Sequence, residues 1–313
     1  MNMLCVGTLA IDSVETPAGN RERVLGGSAS YFAYAAGFYT PVRLIGRTGN
    51  DWPEDYTRSF QNHRVDWRGV TSDSQAKSYF WRGRYLQDYQ DRQTLEIQMH
   101  GFDRYRPSVP DFYADSEIVF LAAAIPSVQH QVLEQCTRAK LVFADTVDMW
   151  IDTTRSELLE LLAKIDGLFI NDIEAKQLTG KSNYVQAARS IQAMGPRWVI
   201  LKKGEHGCFV LGPDLMLAIP AYPSDRLIDP TGAGDSFAGG LLGHLCETMD
   251  SEVLGERSAV AIDRRVFVQA VKHGTAVASY TIESFSIERL QQITRDDIEK
   301  RVAQIDLLMG HCG

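Results

Sequence analysis

Residues 117–145 read EIVFLAAAIPSVQHQVLEQCTRAKLVFAD: an apolar run from Glu117, an amphipathic stretch over 128–138, and a second apolar run from Leu141 that closes on Asp145. Runs without polar alternation mark strands buried on both faces, and parallel neighbours of that kind need a crossover helix between them. The same unit recurs in both directions along the chain. MLCVG from Met3 and VRLIG from Val42 precede it, and GLFI from Gly167 and WVIL from Trp198 follow, with amphipathic stretches at 154–164 and 184–194. This alternation predicts an α/β fold: an open, mostly parallel sheet with helices on both faces. In such sheets ligands bind in a crevice beyond the carboxyl ends of the strands.

Polar residues collect where that crevice is expected. Gly7 to Asp12 follow the first run, Gly46 to Asp51 the second, Asp145 the fourth, Asn171 the fifth, and Lys202 to Gly204 the sixth. Loops are polar in any protein, but joint placement on one edge points to a shared crevice. Taken singly, Asp145, Asp148 and Trp150 read as structural, with a place in the lining of the site as the alternative. One region departs from the pattern. Residues 77–100, KSYFWRGRYLQDYQDRQTLEIQMH, form two alternating segments around a polar turn, the pattern of a β-hairpin. Together with 13–25, expected as a further strand, they make a small protruding β-lid. A lid that excludes water and a ribbon that joins a homodimer are both open for it, and the two are compatible.

The chain has 313 residues and a formal net charge of −8, and it has no basic cluster, so a nucleic-acid partner is not expected. No apolar segment approaches the length of a membrane span, and the N-terminus lacks the basic start of a signal peptide. Cys5, Cys136, Cys208, Cys246 and Cys312 are scattered, without metal or disulfide spacing. The expected location is the cytoplasm.

The stretch with most chemistry is DPTGAGDSFAGGLLGHL, from Asp229. Pro230 and the glycines make a tight turn, and Phe237, Leu241, Leu242 and Leu245 give a helical apolar face. Gly232, Ala233 and Gly234 then stand at a helix N-terminus, where free N–H groups and minimal side chains suit an anion. Asp235 is out of place there as a mere neighbour of an anion, but it suits a base that accepts a hydroxyl proton. A helix cap is the competing explanation. Asp229, Thr231, Ser236 and the glycines at 239–240 favour chemistry.

The run DPTGAGDSFAGG resembles the C-terminal motif of the ribokinase-like (PfkB) carbohydrate kinase family. Gly26-Gly27 before SASYFAYAAG is similar to that family's N-terminal double glycine. Gly46 to Asp51 resembles its G-x-x-G-x-D segment, Asn171 to Glu174 its N-x-x-E motif, and Lys203 to Gly207 its later glycine loop. The order of the motifs also matches, across nearly the whole chain, which implies one ribokinase-like domain over 1–313 with its lid near 13–25 and 77–100.

The resemblance implies an ATP-dependent kinase acting on a primary hydroxyl of a sugar, with a nucleoside as the alternative acceptor and a non-catalytic ligand-binding protein as the reading from another class. Asp235 is then the base, with Gly232, Ala233 and Gly234 as the anion hole. Asn171 and Glu174 organise Mg²⁺ through water. Lys203, Gly204, Gly207 and Thr231 line the nucleotide side, and Asp229 is the candidate ligand of a monovalent cation such as K⁺. The helix over 263–281 is placed beside the adenine, with His273 and Gly274 as candidates there and a packed histidine as the competing reading. Asp12, Gly26 and Gly27 hold the acceptor. Tyr31 stands where ribokinase has an asparagine for the sugar, which raises the weight of a nucleoside whose base stacks on Tyr31 or Phe32.

Overall fold

Residues 1–87, 89, 92–249, 257 and 260–310 are described by a computed structural model; Cys312 and the turn residues Asp88, Gln90 and Asp91 of the expected hairpin lie outside the described residues. The elements run β1 (Met3–Val6), β2 (Ala10–Thr16), β3 (Gly19–Gly26), α1 (Ser28–Gly37), β4 (Val42–Gly49), α2 (Glu54–Gln61), β5 (Val65–Asp73), β6 (Tyr79–Tyr85), β7 (Arg92–Gln98), β8 (Ile118–Leu121) and α3 (Pro126–Gln135). They continue with β9 (Leu141–Asp145), α4 (Asp148–Thr153), α5 (Arg155–Leu162), β10 (Gly167–Asn171), α6 (Asp172–Thr179), α7 (Tyr184–Gln192), β11 (Trp198–Lys202), β12 (Cys208–Gly212) and β13 (Leu215–Ile219). The last helices are α8 (Ala233–Thr248), α9 (Arg264–Thr281) and α10 (Arg295–Leu308).

Each apolar run of the sequence is a strand of one nine-stranded sheet, in the order β13-β12-β11-β10-β9-β8-β1-β4-β5. Strands β11 to β5 are parallel to their neighbours, whereas β12 and β13 extend the edge as antiparallel strands. From β1 the chain first moves to β4 and β5, then returns to β8 on the other side. The order therefore reverses at β1, and the crevice expected of such sheets opens beyond its carboxyl end.

Alternation along the strands divides the core. Met3, Cys5, Phe120, Phe143, Phe169 and Ile200 face α1, α8 and α9, while Leu4, Val6, Val119, Val142, Leu168 and Val199 face the helices around α3, α5 and α7. The four cysteines described, Cys5, Cys136, Cys208 and Cys246, are free and buried. Among the described residues no helix is long and apolar enough to cross a membrane.

A second sheet, β3-β2-β6-β7, stands apart from the first. Asp51 pins its base: one carboxylate oxygen accepts the Ser78 N–H at 2.7 Å and the other meets Arg23 at 3.1 Å. Gly46 to Gly49, expected beyond a strand end, are the last residues of β4 and pair with β5, so this segment does not open into a loop.

Helices α1 and α8 meet almost backbone to backbone. A Cβ on Gly239 would lie 2.4 Å from the Phe32 carbonyl oxygen. Gly239→Leu is therefore expected to cost at least about 3 kcal/mol, as overpacking at a site with no room to relax. Urea unfolding measures it; an unchanged midpoint would mean that the two helices do not pack this tightly.

Candidate active site

The turn before α8 is built as the sequence suggests, with one refinement. Gly232 is the N-cap, in the left-handed region at φ 75°, and no side chain caps the helix. The Ala233 N–H is spent on the Pro230 carbonyl at 3.2 Å, and the first intrahelical bond runs from Ser236 to Gly232. Among the described residues the N–H groups of Gly234 and Asp235 have no acceptor. The Gly232 N–H likewise has no acceptor among the described residues, so of the three donors expected only that of Ala233 is spent, and Asp235 adds one. Asp235 sits in this first turn, partly buried, with its carboxyl raised above the usual range by burial and then by the Asp145 charge, against the pull of Lys202.

Three strand ends lie side by side below this turn. Asp145, Asn171 and Lys202 are the last residues of β9, β10 and β11, and Asn171 is the register partner of Lys202. The Lys202 ammonium donates to Asp145 at 2.6 Å. Burial opposes its charge, but Asp145, Glu174 and Asp235 outweigh burial and keep it protonated. Asn171 caps α6: its side chain accepts the Glu174 N–H at 2.8 Å, and the Glu174 carboxylate accepts the Asn171 N–H at 3.0 Å. This capping box holds Glu174 in a buried position. Desolvation pushes its carboxyl up to about 7, with Asp145 adding and Lys202 opposing.

On the other side of the crevice Asp12 is 4% exposed, and its Oδ1 has no hydrogen-bond partner among the described residues. Its carboxylate lies directly over Gly26, where a Cβ would stand 1.9 Å from Oδ2. Burial raises Asp12 to about 8, the charges of Asp229 and Asp235 contribute, and the Gly27 N–H opposes. Asp229 is fully buried; Oδ1 accepts the Thr231 N–H at 2.9 Å, Oδ2 has no partner among the described residues, and burial raises the group to about 6.

The second sheet leans over these groups. Tyr85 hydrogen-bonds the Thr231 hydroxyl at 3.3 Å. Burial lifts the phenols of Tyr79 and Tyr85 to about 12, and both also feel the Asp12 charge. Arg92, at the start of β7, reaches Asp148 at 3.4 Å and acts electrostatically on Asp235 and Glu174.

Three expectations change. Tyr31 is 2% exposed with its ring against Gly232, and Phe32 is fully buried and stacked on Phe120 at 4.0 Å, so neither ring is open to a base. Lys203 points its ammonium over the Tyr184 ring at 4.7 Å, and Lys202 is the lysine that enters the crevice; Gly204 and Gly207 bracket the short turn that follows. His273 stacks on His244 at 3.8 Å and meets the Tyr39 hydroxyl at 3.2 Å, and a Cβ on Gly274 would strike the Phe237 carbonyl at 2.6 Å. Both are packing positions. Asp145 and Lys202 stood on the expected crevice edge as the ends of their runs, but sequence reading gave neither a role in the chemistry.

The model of the pfkB family carbohydrate kinases matches residues 2–289. A cytidine kinase of Thermococcus kodakarensis is 26% identical over 247 residues, 77% of this chain and 87% of that protein. The nucleoside kinase of Burkholderia thailandensis in complex with inosine superposes with a TM-score of 0.73 at 19% identity, covering 99% of this chain and 97% of the other. The aminoimidazole riboside kinase of Salmonella enterica, complexed with aminoimidazole riboside and an ATP analogue, gives 0.74 at 18% identity, covering 96% and 100%. At these identities the superpositions establish the fold, while the family match spans most of the sequence and includes every motif of the crevice. The chain belongs to the pfkB family of carbohydrate kinases, phosphotransferases whose acceptor is an alcohol.

Proposed function

We propose that this enzyme transfers the γ-phosphoryl group of ATP to a sugar hydroxyl of a nucleoside, with Asp235 as general base. The observation that carries the chemistry is the placement of the Asp235 carboxylate in the first turn of α8, beside N–H groups that lack acceptors. A hydroxyl directed at Asp235 loses its proton there while the Gly234 and Asp235 N–H groups stabilise the charge on the phosphoryl oxygens. Asp12 accepts two further hydroxyls of the acceptor, for which its unpaired oxygen is suited. A nucleoside rather than a free sugar is favoured by the cytidine kinase that aligns along most of its length. The second sheet serves as the lid, which excludes water once both substrates are bound.

The residues present fit Mg²⁺. Among the described residues no group of three or more carboxylate, histidine or cysteine side chains is placed to hold an ion alone. Glu174, buried next to Asn171, instead suits an ion that keeps several waters and rests on nucleotide phosphates. When bound, that ion supplies neutralisation of the phosphate charge. The unpartnered Oδ2 of Asp229 likewise fits a monovalent cation such as K⁺.

ADP release from ATP and Mg²⁺, measured with cytidine, inosine, ribose and fructose, tests the acceptor. Turnover with the nucleosides is expected, and turnover with fructose-type sugars alone would exclude the nucleoside. The pH profile is a second check. Asp235 and Asp12 act ionised, and the fold raises both, Asp12 to about 8. In the free enzyme each loses its proton only as pH rises through that elevated range, so kcat/KM should climb from pH ~6 to ~9, far above an ordinary carboxylate limb near ~4. A profile already flat by pH ~5.5 would contradict it.

A further inference from the structure

We propose that the ammonium group of Lys202, fixed in place by Asp145, is the side-chain cation that contacts the transferring phosphoryl group at the start of α8. This rests on the kinase reading above and adds a residue that no motif of the family resemblance singled out.

Three observations converge on it. Parity along β11 sends Lys202 to the same face as Ile200, which packs in the cluster that contains Phe237 of α8. The lysine therefore rises on the α8 side of the sheet. Its Nζ is the nearest atom to the point where a Cβ on Gly234 would stand, 3.1 Å away. That is beside the very N–H groups that lack acceptors. Finally, an ammonium carries three donors, and Asp145 is the only hydrogen-bond partner of the Lys202 ammonium among the described residues.

Asp145 behaves as a post. It is 2% exposed, its Oδ1 accepts the Thr146 N–H at 2.8 Å, and its carbonyl accepts the Gln129 amide at 2.9 Å. With both ends tied, its Oδ2 fixes the lysine in one direction. The charge arrangement requires such a cation. Asp145, Glu174 and Asp235 all act electrostatically on Lys202, and an approaching polyphosphate would meet a negative surface without it. A lysine is a compact point charge that suits a phosphoryl group changing shape during transfer. Asp145 is by the same geometry a positioning residue, since its hydrogen bonds reach the turn before α8 only through the lysine.

The test separates phosphoryl contact from structural pairing. Binding of ADP and of ADP with beryllium fluoride, a γ-phosphoryl mimic, is measured by calorimetry with Mg²⁺, next to kcat and the acceptor KM. In the wild type the fluoride should tighten binding. Lys202→Met should keep ADP affinity within about threefold, lose that tightening, and lower kcat by about 10²-fold or more with little change in acceptor KM. Lys202→Arg should recover part of both. Asp145→Asn, which leaves the cation but loosens it, should fall between. Because Lys202→Met leaves a buried carboxylate unpaired, the double variant Lys202→Met/Asp145→Leu is measured alongside it. A folded double variant with the same loss supports the contact. Wild-type turnover or retained fluoride tightening in Lys202→Met or in the double variant would overturn it, with the kinase reading intact. A wild-type enzyme that makes no ADP with any acceptor would instead strike the kinase reading, and this proposal with it.

Discussion

Asp235→Asn should lower kcat by about 10³-fold or more while the protein still folds and still binds nucleotide. Asparagine keeps the shape of the side chain but cannot take a proton. It also removes one of the carboxylates that crowd Lys202, so affinity for ATP should be unchanged or higher. The loss must therefore appear in kcat and not in the nucleotide KM, the pattern of an interaction made only in the transition state. Single-turnover phosphorylation isolates the chemical step from product release. If Asp235→Asn turned over within about tenfold of wild type, Asp235 would be a helix-end charge and the base would lie elsewhere.

Gly232→Ala should cost about 10²-fold in kcat, from geometry alone, and it adds no charge. Two effects combine. The N-cap has φ 75°, where a Cβ costs about 1–2 kcal/mol. That Cβ would also stand 2.3 Å from Cγ of the Tyr31 ring, with Cδ1 and Cδ2 at 2.4 Å. The ring is buried on α1 and has nowhere to retreat, so the turn shifts and carries the Gly234 and Asp235 N–H groups with it. The double variant Gly232→Ala/Tyr31→Ala removes the collision and leaves only the backbone cost. It should recover a large part of kcat, and the coupling between the two positions is the quantity to read. Full activity in the single variant would mean that the turn does not set the geometry of transfer.

Much of the fold is legible in the sequence because strands buried on both faces leave unbroken apolar runs. The antiparallel edge β12–β13 is not, since Cys208–Gly212 reads like the parallel runs and only two short turns, at 203–207 and 213–214, reverse the chain. At the site, glycine and acid motifs locate Asp235, Asp12 and Glu174 as local patterns. The choice between Lys202 and Lys203 depends on which face of the sheet a strand's last residue takes, and that parity is fixed by packing. Tyr31 has the composition of a stacking platform. Burial against Gly232 is a tertiary fact that its neighbours in sequence do not announce.

Asp12 belongs to β2, where it pairs with Val24 of β3 and Trp81 of β6, and the same sheet sends Tyr85 to Thr231. The group proposed to grip the acceptor and the group that touches the turn before α8 thus ride on one body. Any movement of that body displaces both contacts at once, so neither substrate can be held fully without the other. Binding of the two substrates should then be synergistic, and linkage makes the effect mutual: an acceptor analogue without the reactive hydroxyl tightens ATP by the same factor by which ATP tightens the analogue.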